Sequence, residues 1–364
     1  MIYLHKYTKL FQKKVVIFDK LECQILIDYI VKPLNVEYAV VDIGDNKIKH
    51  PLLQKVVKFS FLVYVIFYLK FHRTHCVISF RDNGDIQRLS KILKSIEFYA
   101  IQNGNRTKRE LISSYRYGAN RKFNFTNYFS FGYYEKYLFE KYGHTIKKCI
   151  PVGSLRASVY KAEAEAEAGK DKSIIYDICF VSMWRCVSFD TKNKVLLYEA
   201  EQMKKVDNFL NRYIESSKKN ICICMRASSE NGETAEYRYY RDLFGSKVKI
   251  ISRDNYSTYD AMNRSKLIIS SHSTCTSESF GWGKKALYVD FSSENIFSYF
   301  DERVLLLKRP SYVEFENRVS SILNMNDQKY SMISSSYSNF IMKYDECIPT
   351  YVKIQNEIKR CLND

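Results

Sequence analysis

The chain has no Cys-x-x-Cys pair, few prolines, and no apolar run as long as a bilayer requires. Its ten cysteines are scattered, at positions 23, 76, 149, 179, 186, 222, 224, 275, 347 and 361, and several stand inside apolar runs such as "DICFV" and "NICICM". There a thiol acts as a small hydrophobe. With no signal-peptide pattern and a chain this large, the spacing argues against a zinc site and a secreted disulfide framework, and a reducing cytoplasm is expected. Five prolines against 46% apolar and 15% aromatic residues exclude a disordered chain. The most hydrophobic segment, "FSFLVYVIFYLKF" at 59–71, falls well short of the ~20 residues needed to span a membrane. It is expected to be a buried or at most interfacial element, so any membrane contact is peripheral. No Asp-x-Asp motif suited to a divalent metal stands out, and no metal is expected. There is no zinc finger, aromatic-basic RNA signature or helix-turn-helix, so nucleic acid is not an expected partner.

What is present is length, charge and alternation. At 364 residues the chain suits two domains, and 57 Lys and Arg against 40 Asp and Glu leave a formal charge of +17. Such a surface favours polyanions, anionic headgroups or phosphorylated substrates. The basic stretch from Arg106 to Lys122 is the part expected to meet an anionic membrane or a lipid-linked diphosphate.

Short β-branched runs alternate with helical periodicity. "KKVVIFD", "VEYAVVDIGD", "HCVISF" and "EFYAIQNG" read as strands, with "KLECQILIDYIVKPL" and "DIQRLSKIL" as helices. "YFSFG" and "KKCIPVGSLRAS" (147–158) read as further short strands. The low-complexity "KAEAEAEAGKDKS" at 161–173 reads as a linker. A second series then begins, with strands "IIYDICFVS", "NICICMR", "VKIIS", "KLIIS" and "ALYVDF" separated by helices. The expectation is an N-terminal domain at 1–160, a linker at 161–173, a second domain at 174–330 and C-terminal helices at 331–364 packing back across both. Strand, helix, strand with short connections is the pattern of a parallel α/β sheet, and ligands bind beyond the carboxyl ends of such strands.

Those ends carry the chemistry. "SSHSTCTSESFGWGKK" (270–285) sets Ser271, His272, Ser273 and Thr274 before a predicted helix, whose free N–H groups and dipole suit a phosphate. Glu278, about one turn on, is placed to bind a ribose. The same residues also suffice for an ordinary N-cap. Ser182 and Arg185 in "SMWRC", and Arg226 in "MRASSENGE", follow buried strands, where an Arg can clamp phosphate oxygens or make a structural ion pair. Trp184 suits stacking on a base or sugar, or closing the core. In the N-terminal half, Asp82 and Asp85 of "SFRDNGD" are candidates for base or nucleophile, although Asp-Asn-Gly is also a good turn. Asn103, Gly104 and Arg106 of "IQNGNRT" are assigned to the acceptor side or the cleft.

The whole arrangement resembles a GT-B glycosyltransferase: two Rossmann-like domains facing a central cleft, with C-terminal helices. "AIQNGNRT", "KYGHTIKKCIPVGSLRAS", "YDICFVSMWR" and "STYDAMNRSKLIISSHSTCTSESFGWGKKALYVDF" resemble the bacterial O-antigen and capsule biosynthesis proteins. That resemblance implies sugar transfer from a nucleotide sugar, a co-substrate rather than a cofactor, to a lipid-linked or oligosaccharide acceptor at the inner membrane face. Ser273, Thr274, Glu278, Gly283 and Lys284 are similar to the donor phosphate and ribose loop of GT-B enzymes. The spaced Glu pair of that fold is missing, since Ser270 or Ser271 stands at the earlier position. The hydroxyl-rich loop is similar to those of CMP-sugar enzymes, which makes a CMP-Kdo-like donor the first expectation, although no sialyltransferase-type His-Pro motif accompanies it. UDP- or GDP-sugars stay open. So do a CDP-polyol phosphotransferase, a nucleotide-sugar 2-epimerase, an inactive scaffold and a non-catalytic polyanion-binding protein.

Overall fold

The computed structural model describes residues 14–18, 20, 22–41, 51–80, 84–106, 122–166, 173–184, 194–226, 234–254, 256–292 and 304–363. Two compact units divide the chain. The first comprises 1–106, 110–159 and 343–364, and the second 107–109 and 160–342.

Unit 1 contains six parallel strands, β1 (Val15–Phe18), β2 (Tyr38–Val41), β3 (Cys76–Ser79), β4 (Glu97–Ile101), β5 (Asn124–Ser130) and β6 (Thr145–Pro151), in the order β2-β1-β3-β4-β5-β6. The inner strands are buried along most of their length because helices cover parallel sheets on both faces, and β1 and β3 are buried at every residue, whereas the edge strand β6 is largely exposed or half-buried. Its longer helices are α2 (Pro51–Phe71), which follows the four-residue α1 (Cys23–Leu26), then α3 (Gly84–Ile92), α4 (Tyr134–Lys141), α5 (Leu155–Ala166) and, from the far end of the chain, α12 (Thr350–Asn363). Helix α5 begins in unit 1 and ends in unit 2.

The apolar segment 59–71 is the second half of α2. Val65 and Leu69 are fully buried, while Phe67 and Phe71 are 69% and 63% exposed. Among the described residues no helix is long and apolar enough to cross a membrane.

Two expectations are corrected around residue 155. The segment 147–158 is a strand only to Pro151 and is helical from Leu155, because Ser154 receives the Ala157 N–H at 3.3 Å and good helix formers follow. For the same reason the alternating Ala and Glu residues read as linker continue this helix to Ala166.

Helix α12 returns to unit 1. The Thr350 N–H donates to Ser158 Oγ at 3.0 Å, its hydroxyl donates to the Val152 carbonyl at 2.6 Å, and Lys148 pairs with Glu357. Gly153 makes room for the returning chain. Its φ is +85°, and a Cβ there would lie 2.8 Å from the Lys343 carbonyl oxygen.

Unit 2 has the strands β7 (Tyr176–Val181), β8 (Ile221–Cys224), β9 (Lys249–Ile251), β10 (Ser265–Ser270), β11 (Lys285–Asp290) and β12 (Leu306–Lys308), in the order β12-β11-β10-β7-β8-β9 and all parallel. Read in chain order this is 3-2-1-4-5-6, the arrangement of a dinucleotide-binding Rossmann sheet. The helices are α6 (Lys194–Ser216), α7 (Ala235–Phe244), α8 (Ser257–Asn263), α9 (Thr274–Gly281), α10 (Tyr312–Asn324) and α11 (Asp327–Ile341). The C-terminal helices expected at 331–364 thus belong to different units, α11 to unit 2 and α12 to unit 1.

Candidate functional site

The direction of winding in unit 2 reverses between β7 and β10. With Ile269 opposite Phe180 in register, the loops leaving these two strands start side by side. In open α/β sheets this reversal opens the crevice in which ligands bind.

The loop after β7 is held by one buried carboxylate. Ser182, 2% exposed, donates to Glu236 Oε1 at 2.6 Å and accepts from Tyr240 Oη at 2.8 Å and from the Trp184 N–H at 3.0 Å. One donor and two acceptor sites are a hydroxyl's full capacity. Ser182, assigned from sequence to the donor phosphate, is thus occupied within the protein, and it shapes the loop beyond it. Glu236 also accepts the Arg226 N–H at 2.9 Å, so the ends of β7 and β8 meet on the first turn of α7. The Arg226 guanidinium donates to the Trp184 carbonyl at 3.3 Å, and Arg253, following β9, donates to the Arg226 carbonyl at 3.2 Å. The half-buried indole of Trp184 packs 4.8 Å from the Tyr239 ring. Tyr239 in turn donates to Asp207 at 2.9 Å. Burial pushes the Asp207 carboxyl up to about 8 against that hydrogen bond, with the nearby Glu236 adding to the rise. Arg185 lies outside the described residues.

After β10, the hydroxyls divide by direction. Ser270 is fully buried and accepts from the Ser273 N–H at 3.1 Å and the Thr276 hydroxyl at 2.8 Å. Ser273 is the N-cap, receiving the Cys275 N–H at 3.3 Å. Ser277 bonds Tyr288 at 2.7 Å, and Ser279 donates to the Thr276 carbonyl at 2.9 Å. Ser270, Thr276 and Ser277 therefore fasten α9 to the sheet, while Ser273 and Ser279 bond within the helix. Ser271, His272 and Thr274 are half-exposed, with Ser271 Oγ 3.1 Å from His272 Nδ1. Glu278 is buried and accepts from Tyr259 at 2.9 Å. Lys284, half-buried, donates to the Asn263 carbonyl at 2.7 Å, and burial lowers its ammonium pKa. At the end of β11, Asp290 is 4% exposed and accepts the Ser292 N–H at 2.7 Å.

In unit 1 the structure brings Gln102, Asn103, Gly104 and Arg106 together after β4. Arg106 donates to the Gly104 carbonyl at 3.2 Å and to Asn103 Oδ1 at 3.1 Å. Beside them lies Glu135, which the sequence reading passed over. Its carboxyl accepts from Gln102 at 2.6 Å, and burial pushes it up to about 7 although the Gln102 N–H and the Arg106 charge pull the other way. Asp82 lies outside the described residues, and Asp85 is in α3 with its side chain outside the described set.

Strand pairing also gathers three scattered thiols. Cys179 on β7 stands opposite Cys222 on β8, and their sulfurs and that of Cys224 lie within 4.8 Å of one another, fully buried. These are soft donors of the kind a thiophilic metal ion takes, set in the packed core beneath the sheet's working edge.

Two parallel Rossmann-like sheets, the second with its winding reversed between β7 and β10, define a fold of the GT-B type. The chain belongs to the family described as "putative O-antigen biosynthesis protein", which matches residues 99–358. No curated protein matches it by sequence. Among solved structures it is similar to a UDP-GlcNAc 2-epimerase from Neisseria meningitidis bound to UDP-GlcNAc, with 14% identity, a TM-score of 0.60 and coverage of 96% of this chain and 98% of that one. A UDP-GlcNAc 2-epimerase from Methanocaldococcus jannaschii in complex with UDP-GlcNAc and UDP gives 13% identity, a TM-score of 0.56 and coverage of 97% and 99%. A glycosyltransferase from Rickettsia africae gives 11%, 0.52, 97% and 100%. At such identities the likeness is one of fold.

Proposed function

We propose that the protein is a glycosyltransferase of O-antigen assembly that takes its sugar from a nucleotide-activated donor bound at the β7/β10 reversal. The observation that carries this reading is the pairing of two loops there. One bears Trp184 with Arg226 and Arg253 beside it, and the other bears the half-exposed Ser271, His272 and Thr274 at the start of α9. Arg side chains and a helix N-terminus suit the diphosphate or phosphate of a leaving nucleotide, and an indole suits its base. In the transfer, an acceptor hydroxyl attacks the anomeric carbon as the bond to the phosphate oxygen breaks. The hydroxyl proton passes to a base and the nucleotide leaves with the electron pair. Asp82 and Asp85, which follow β3 in the chain, are proposed for the base, because β3 borders the reversal of unit 1 between β1 and β3. Charge developing on the leaving phosphate is met by the guanidinium groups.

CMP-activated acid sugars remain the first donor class suggested by the missing Glu pair. The UDP-GlcNAc held by the structural neighbours makes UDP-sugars the second to test. A nucleotide-sugar 2-epimerase is the competing reading, because the epimerases match nearly the full length of both chains. Product analysis separates the two. Incubated with CMP-Kdo or UDP-GlcNAc, a transferase releases nucleotide only when a lipid-linked acceptor is added. Conversion to an epimeric nucleotide sugar without acceptor would establish the epimerase instead.

A further inference from the structure

Behind the loop that follows β4 lies a carboxyl that the proposed chemistry leaves unused. Glu135, in the first turn of α4, is 3% exposed. Oε1 accepts from Gln102, and the backbone N–H groups of Gly132 and Glu135 also favour the charged carboxylate. Burial nevertheless makes that charge costly to keep and outweighs them. Gln102 is the link between this group and the loop. Its amide oxygen accepts the Phe131 N–H at 2.7 Å, and its amide nitrogen donates to the Gly104 carbonyl at 3.0 Å as well as to Glu135. Gly104 is in turn bridged by Arg106 to Asn103. The chain leaving β4, the chain leaving β5 and the first turn of α4 thus converge on one amide.

We propose that Glu135 is a positioning residue: by holding or releasing a proton it changes the grip of Gln102 on the loop Asn103–Arg106, and so sets the pH range in which this side of unit 1 is correctly shaped. The inference rests on the acceptor role proposed for unit 1. Its physical basis lies in the pair itself, since an N–H bond to a carboxylate is roughly twice as strong as one to a neutral acid. Burial pushes Glu135 up to about 7, so the change falls in the physiological range.

Two neighbouring groups do not compete for that range. Tyr134 and Cys149 are both raised, chiefly by burial, and stay neutral there. Arg106 supplies a positive charge, Tyr142 follows α4, and Lys136, Tyr137 and Glu140 are exposed on the outer side of α4. Above pH 7 the ionised carboxylate holds Gln102 tightly and attracts Arg106. Below it, the protonated acid loosens both.

Hydrogen exchange tests this on the full chain without any substrate, so its outcome is independent of whether a donor is found. After correction for intrinsic pH dependence, amides in the 102–106 segment should become about tenfold better protected between pH 6 and 8, the equivalent of one pKa unit of coupling. The midpoint should lie near 7. In Glu135→Gln the profile should be flat. A flat profile in the parent, or an unchanged midpoint in Glu135→Gln, overturns the proposal. If that variant does not fold, the infrared band of a buried protonated carboxyl decides in an Asp207→Asn background, which removes the other raised carboxyl: a band must vanish with a midpoint near 7, and its absence at pH 6 refutes the inference.

Discussion

Ser270 and Ser271 are neighbours with opposite duties. Ser270 ends β10 pointing inward and accepts two hydrogen bonds that fasten the loop and α9. Replacing it with Ala leaves the buried Ser273 N–H and Thr276 hydroxyl short of a partner, at a cost of about 1–3 kcal/mol. Ser271→Ala should cost less than about 0.5 kcal/mol in urea unfolding, being half-exposed, yet weaken nucleotide binding. Equal effects on stability would contradict the division. Asp207 makes a second prediction. Its carboxyl is raised from 3.8 to about 8, so it is neutral in the folded chain while the unfolded chain has already ionised. Folding there retains a proton. The contribution is fully present below about pH 4 and is lost as pH rises to about 8, which amounts to several kcal/mol. Asp207→Asn keeps an acceptor for Tyr239 and should flatten the stability profile over that range. An equally steep fall in the variant would show that Asp207 is not its source.

At the scale of elements, strand identity was written plainly in the chain, because fully buried parallel strands need runs such as "VVIF", "CVIS" and "ICIC". The position of the proposed site follows from it, since strand ends mark where ligands bind. Less was legible inside the loops. Spacing gave the number of hydroxyls after β10 but not their direction, which depends on how α9 leans on β11 through Ser277 and Tyr288. Glu135 was hidden among aromatics in "SFGYYEKYLF", and only the pairing of β4 with β5 places Gln102 against it. Likewise, the C-terminal helices are expected from sequence to pack back across both domains, but nothing local in the final helix says that α12 joins unit 1, a contact made across nearly two hundred residues of sequence. Gly153 tests that return. Ala there meets both a positive φ and a carbonyl 2.8 Å from its Cβ, so Gly153→Ala should destabilise the protein by about 2 kcal/mol or more. A loss within about 0.5 kcal/mol would mean that the C-terminal segment packs elsewhere.

On the scale of the whole molecule, the charge of +17 and the absence among the described residues of a membrane-crossing helix frame the acceptor question. The peripheral membrane contact expected from the basic stretch at 106–122 predicts sedimentation with anionic vesicles at low salt and release as the Debye length shrinks. Equal binding to neutral vesicles would count against it. The central claim, however, is that the second Rossmann-like unit holds a nucleotide at the reversal between β7 and β10. It is tested most directly by measuring the melting temperature of the parent, Arg226→Ala and Thr274→Ala with CMP, CDP, UDP, GDP and TDP. A ligand that binds only the folded state raises that temperature. One nucleotide should stabilise the parent by several degrees and both variants by less. No shift with any nucleotide, or an equal shift in all three proteins, would contradict the site.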